Sequence, residues 1–181
     1  MATYNVFEST NMASTHYAER IFDAVCDVDV ENGTFGYLEE LAEGYDVIYT
    51  FKAGTKAGAK VVVVDQPVWT EDTCRRTNQR KDKFVVEAGT PFRVRTVKVN
   101  DEFATAAEGF TTATKANAAA GKYVTIDAST GKLVVANAPV EGAAMNAKIM
   151  RTHTIGNTLV TAAHSYGYAR KMYEVKVETL A

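Results

Sequence analysis

The residues able to do chemistry are few and scattered. His16, His153 and His164 stand far apart, outside HExxH or any other ligand spacing. If His153 and His164 met across a turn, a zinc centre would still need further ligands. No serine occupies a GxSxG elbow. Ser165 follows His164 directly, and neighbours on a strand face opposite ways, so an extended segment cannot pair them as nucleophile and base. Glu39, Glu40 and Glu43 have the density of a glycosidase pair. Such a pair works in an aromatic-lined cleft, and the one tryptophan, Trp69, lies far away in sequence. The glycines show no phosphate-loop or dinucleotide spacing. Cys26 and Cys74 form no metal motif and read as reduced thiols, at least one of them buried. A disulfide would need their Cα atoms within about 7 Å. The expectation is a chain that is not an enzyme, with no catalytic residue, no metal and no cofactor.

Charge is the stronger signal. Residues 17–46 hold nine acidic side chains and one basic one, Arg20, for a net −8. The whole 181-residue chain carries −2, so the remainder carries +6. Near-neutrality argues against direct nucleic-acid binding, which needs clustered Lys and Arg to displace counterions. No apolar run is long enough to span a bilayer, and the first residues lack the pattern of a secretory signal. The expectation is synthesis in a cytoplasm and no membrane partner. Hydrophobic content of 46% and only three prolines fit a folded domain.

The elements follow from periodicity. Tyr17, Ile21, Val25 and Val28 recur at helical spacing, which predicts a short amphipathic helix within His16–Val28. Asn32-Gly33 predicts a tight hairpin, and Tyr37–Glu43 reads as strand or as one helical turn. From Asp46 onward the chain is strand-like. Val61 to Val64 fit a strand buried on both faces. Residues 70–83 read as a polar loop. Lys83–Glu87 reads as a strand, and Phe92–Val99 alternates with a phase slip near Thr96 that a bulge would explain. Tyr123–Ile126 and Lys132–Val135 flank an Asp-Ala-Ser-Thr-Gly turn, and Lys148–Thr154 with Thr158–Ala162 reads as another hairpin. Met172–Leu180 alternates as a half-exposed strand. The fold class expected is mainly β: an antiparallel sandwich or barrel-like body over 46–181, with an N-terminal attachment arm over 1–45 carrying a short helix.

Aromatic residues in the acidic or polar N-terminal part and basic residues in the polar loop are the candidate contacts. Tyr4, Phe7, Tyr17, Phe22, Phe35 and Tyr37 read as anchors into another surface or as aromatics folded back on the β body. Arg75, Arg76 and Arg80 lie in a loop diluted by Glu71, Asp72 and Asp82. They read as a solvated surface or as partners for acids on a neighbouring protein.

Four segments, ENGTFGYLEELAEG (Glu31–Gly44), KAGAKVVVVDQPVWTEDT (Lys56–Thr73), AGTPFRVRTVKVNDEF (Ala88–Phe103) and GKYVTIDASTGKL (Gly121–Leu133), carry a resemblance. In texture and order the chain resembles small structural proteins of tailed bacteriophages infecting Firmicutes-type hosts, similar to capsid decoration and other head-associated proteins. That resemblance implies a virion protein on the outside of an icosahedral shell. It would contact the major capsid protein and neighbouring copies of itself, and stabilise the shell against internal DNA pressure. It carries no binding residues over. A tail-tube, neck or fibre subunit is the alternative within the virion. A carbohydrate-binding β domain, with Trp69 in its platform, is the alternative outside it.

Overall fold

A computed structural model describes residues 3–16, 21–68, 80–156 and 169–181. Among them are eleven strands, one α-helical turn and three short 3-10 turns. Their order is β1 (Phe7–Asn11), α1 (Ala13–His16), β2 (Ile21–Val25), β3 (Phe35–Leu41), β4 (Tyr49–Ala53), β5 (Val62–Val64), β6 (Phe92–Thr96), β7 (Glu102–Ala106), β8 (Tyr123–Ile126), β9 (Leu133–Ala136), β10 (Met145–Gly156) and β11 (Ala169–Leu180). Six strands form a sheet in the order β1-β7-β11-β10-β8-β9, and five close into a barrel in the order β2-β4-β3-β5-β6. The protein is mainly β, as its alternating segments predict.

Two cores hold these layers. Inside the barrel lie Ala24, Phe51, Val62, Val64, Phe92 and Val94. Between barrel and sheet lie Phe7, Phe35, Val63, Phe103, Ile149, Tyr173 and Val175, among others. The valine run shows how one strand serves both. Val62 and Val64 point into the barrel while Val63 points at the sheet, so all three are buried. Phe35 does the same for β3. It is wholly buried, and its ring meets Phe7 edge-on at 6.5 Å and Phe103 at 5.4 Å.

The described part of residues 1–45 is therefore not a separate arm. β1 pairs with β7, and β2 and β3 are staves of the barrel. The Asn5 amide is buried. It donates to the Asn32 carbonyl at 2.9 Å and accepts from Thr105 Oγ1 at 3.1 Å and the Ala106 N–H at 3.2 Å. These bonds satisfy a polar group that would be costly to bury alone.

From Ile21 on, the expected helix over 16–28 is replaced by a strand. Among the described residues α-helical geometry covers Ala13–His16, and Ile21–Val25 pairs antiparallel with β6 and parallel with β4. Phe22, Ala24 and Cys26 alternate into the barrel core, so period two wins over the helical spacing. Cys26 is a buried free thiol, and Cys74 lies outside the described residues.

Asn32-Gly33 is a turn, with Gly33 at φ 78°, but it joins no hairpin. Val30 bridges to Val86, while β3 pairs with β4 and β5. The buried Asn32 side chain instead pairs with the Gln66 backbone, donating to its carbonyl and accepting from its N–H, both at 2.8 Å. Tyr37–Glu43 is extended as far as Leu41. Lys83–Glu87 contributes only the Val86 bridge. No bulge carries β6 past Thr96. The strand ends there, Val97 turns into the core and Val99 is exposed.

The β8–β9 hairpin forms as its turn residues predict. Lys148–Thr154 lies within β10, which pairs with β11 and β8, and Thr158–Ala162 lies outside the described residues. A register shift between Ile149 and Arg151 leaves Met150 as an extra residue of β10, 52% exposed.

Candidate protein-binding site

The nine candidate contact residues separate into different environments. Phe7 and Phe35 sit in the core between the layers, so the fold-back alternative describes their place in the chain. Phe22 packs half-buried on the barrel core, its ring edge-on to Tyr49 at 5.8 Å. Tyr37 is half-buried with the Lys56 ammonium 5.4 Å from its ring centre. Tyr4 is tied down through its backbone: its N–H donates to the Asp82 carbonyl at 2.9 Å, and its carbonyl accepts from Arg170 at 3.0 Å. Arg80 turns its guanidinium onto buried Asp82 through two bonds of 2.9 Å. Tyr17, Arg75 and Arg76 lie outside the described residues, as do Trp69, His164 and Ser165.

The structure instead gathers exposed apolar and acidic side chains at the β3–β4 tip. Strands β3 and β4 pair from Gly36–Ala53 to Leu41–Tyr49, and the Ala42 N–H closes the loop on the Ile48 carbonyl at 2.8 Å. Gly44, at φ 83°, supplies the left-handed residue that the turn requires. Leu41, Tyr45 and Val47 are exposed by 49%, 41% and 71%. Around them stand Glu40, Glu43 and Asp46, all exposed. Glu39 differs, because Lys56 holds it at 3.1 Å. Apolar side chains presented from a hydrogen-bonded turn lose little freedom on docking. Sequence reading found this acidity but spread it over 17–46. The tip was missed because exposure depends on strand partners distant in sequence.

A second cluster lies on the sheet face turned away from the barrel. Glu8, Glu102, Arg151, His153 and Glu174 line an open cleft of about 520 Å³ with Met150 at its rim. Arg151 grips Glu174 through both oxygens, and that hydrogen bonding holds the Glu174 carboxyl below its ordinary pKa. His153 Nδ1 lies 3.3 Å from Glu174 but at an angle too poor for a hydrogen bond. Glu8 is paired with Lys81 at 2.9 Å and Glu102 with Lys176 at 3.8 Å. The cleft's charges are thus largely matched among themselves.

Further along the same face two lysines meet, with exposed Glu178 two positions beyond one of them. Lys176 and Lys148 stand directly opposite one another on β11 and β10, and Lys148 stands opposite Tyr123 on β8. The Lys148 ammonium lies 5.5 Å from the Tyr123 ring centre. No group of three or more His, Cys, Asp or Glu that could hold a metal occurs among the described residues. No family model matches the chain, and neither a curated protein nor a solved structure matches it.

Proposed function

We propose that this chain is a non-enzymatic structural protein of a phage virion that binds the outside of the capsid and stabilises the shell. The observation that carries the reading is the β3–β4 tip. It offers three apolar side chains ringed by carboxylates, on a body closed by two packed cores. Such a patch suits docking against protein, since it is apolar at its centre and charged at its rim. The phage-like texture of the four segments names the setting, with the major capsid protein and neighbouring copies as partners. Many weak contacts repeated by symmetry then give high avidity on a lattice.

The test is co-sedimentation of purified protein with undecorated heads, followed by heating of the loaded heads. Saturable uptake at a fixed ratio to capsid subunits, with heads that resist rupture at higher temperature, is the expected result. Absence of uptake overturns the reading. Stacked rings or tubes of the protein alone, seen by electron microscopy, would move the assignment to the tail.

A further inference from the structure

An inner strand of the six-stranded sheet carries an open edge. β10 runs from Met145 to Gly156, but β8 pairs with it only at Ala147 and Lys148. The last bonds on that side belong to Ile149, whose N–H donates to the Lys122 carbonyl and whose carbonyl accepts from the Gly121 N–H. Over 151–156, β11 lies along one side of β10, out to the pair Gly156 and Ala169. Among the described residues no strand lies along the other side.

Ladder alternation shows which groups line that edge. Successive residues of an antiparallel strand turn their backbone groups to opposite sides. Val177 of β11 bonds towards β7, donating to the Asp101 carbonyl and accepting from the Asn100 N–H. Val175 and Tyr173 follow it, so Glu174 and Met172 face β10 and bond to their opposites, Arg151 and His153. Thr152 and Thr154 therefore turn N–H and C=O away from β11, and both residues are exposed.

The outer margins of the sheet are closed by the chain itself. On β9 the Leu133 carbonyl accepts the Thr111 N–H at 2.9 Å, and the Val135 N–H donates to the Thr114 hydroxyl at 3.2 Å. β1 is broken by a register shift between Glu8 and Asn11, and its Glu8 and Ser9 side chains are held by Lys81 at 2.9 Å and Asp65 at 2.6 Å. Covering and irregularity are ways of blunting an edge. The 151–156 run holds no proline, and the bulge at Met150 lies before it. Its one arginine, Arg151, is drawn onto Glu174 of β11 and does not stand over the edge.

We propose that 151–156 pairs antiparallel with the same run of a second copy, about a two-fold axis between the two His153 residues. Such a pair uses one surface twice, so identical strands complement each other. The sequence fits this axis. Thr152 stands opposite the partner's Thr154, and each exchanges its N–H and C=O bonds with the other. Facing threonines are a favourable cross-strand pair. Moving the axis to Thr152 would set Thr154 against the partner's Met150, where the bulge makes the ladder irregular. The inference deepens the shell-binding reading and rests on it for its setting: copies held side by side on a lattice, where a joint weak alone gains strength.

The experiment is sedimentation velocity of the full chain without heads, up to about 1 mM, with exchange of single amide hydrogens read by NMR on the same samples. Wild type is expected to dimerise and stop there, because the two-fold contact uses up the edge. The Thr152 and Thr154 amides are expected to slow at least about tenfold from dilute to concentrated protein, while those of Arg151 and His153 stay protected throughout. Thr154→Pro removes an outward N–H and no bond between β10 and β11. It is expected to keep its far-ultraviolet circular dichroism and raise the dimer dissociation constant at least about tenfold. A wild type still monomeric at about 1 mM, a dimer whose threonine amides exchange as fast as in the monomer, or a folded Thr154→Pro that dimerises like wild type overturns the proposal. Should that variant lose its fold, the wild-type amides alone decide. No head is present, so this failure leaves shell binding standing. Heads that take up no protein leave the strand pairing standing.

Discussion

Asp127 shows how one side chain fixes a turn on which the two layers meet. Its Oδ1 accepts from the N–H groups of Ser129 and Thr130 and from both hydroxyls, at 2.7 to 3.2 Å. The Thr130 hydroxyl and backbone bonds come first in lowering its pKa from 3.8 to about 2. A depressed carboxylate contributes stability above its unfolded pKa, and loses that contribution as pH falls through the folded value. Asp127→Asn keeps an acceptor and removes the charge. We predict a loss of under about 1 kcal/mol at pH 6, discounted because the site faces solvent. The gap between variant and wild type should close as pH falls from 4 towards about 2 in urea titrations. The same turn ends at Gly131, at φ 67°, where a Cβ would collide with the Phe35 carbonyl oxygen. The Gly131 carbonyl in turn accepts the Phe35 N–H at 2.8 Å. That a turn lay here was legible in Asp-Ala-Ser-Thr-Gly. That it docks onto β3 was not, because docking depends on a partner some ninety positions away.

At the level of elements, β3 links the two cores through Phe35 and Gly36. Phe35 packs towards the sheet, whereas Gly36 leaves room for the Phe51 ring inside the barrel. Phe35→Ala should therefore cost about 3–5 kcal/mol, the range for a buried aromatic, and should loosen both layers. Thermal melts followed separately by near- and far-ultraviolet circular dichroism would check this. A variant that loses less than about 1 kcal/mol would show that the cavity collapses freely. Strands with strong local signals were legible: the valines of β5, the alternation of β11, and the hairpin of β8 and β9. β2 was misread because Ile21 and Val25 also fit a helical stripe, while its inward set includes Ala24 and Cys26, which are weak hydrophobic markers. Phe7 and Phe35 were ambiguous for another reason. Hydrophobicity says that a ring wants burial, not whose core will bury it.

For the whole molecule, barrel and sheet share residues and not merely a boundary. Deleting residues 1–11 removes β1 and the Asn5 bonds, and so exposes the edge of β7. We predict that this truncation lowers the melting temperature and causes aggregation, read by light scattering on a thermal ramp. A truncated chain that stayed soluble with an unchanged melting temperature would show β1 to be dispensable. The shared core also has a consequence in time. Asn5 must find Thr105, 100 positions along the chain, and Tyr4 must find Arg170, 166 positions along. At about 5–20 residues per second on the ribosome, the first strand waits about 5–20 s before β7 exists. Such distant pairings fold slowly. A cell making this chain in quantity would carry a standing pool of half-made copies, and its yield would be set by chaperone supply as much as by transcription.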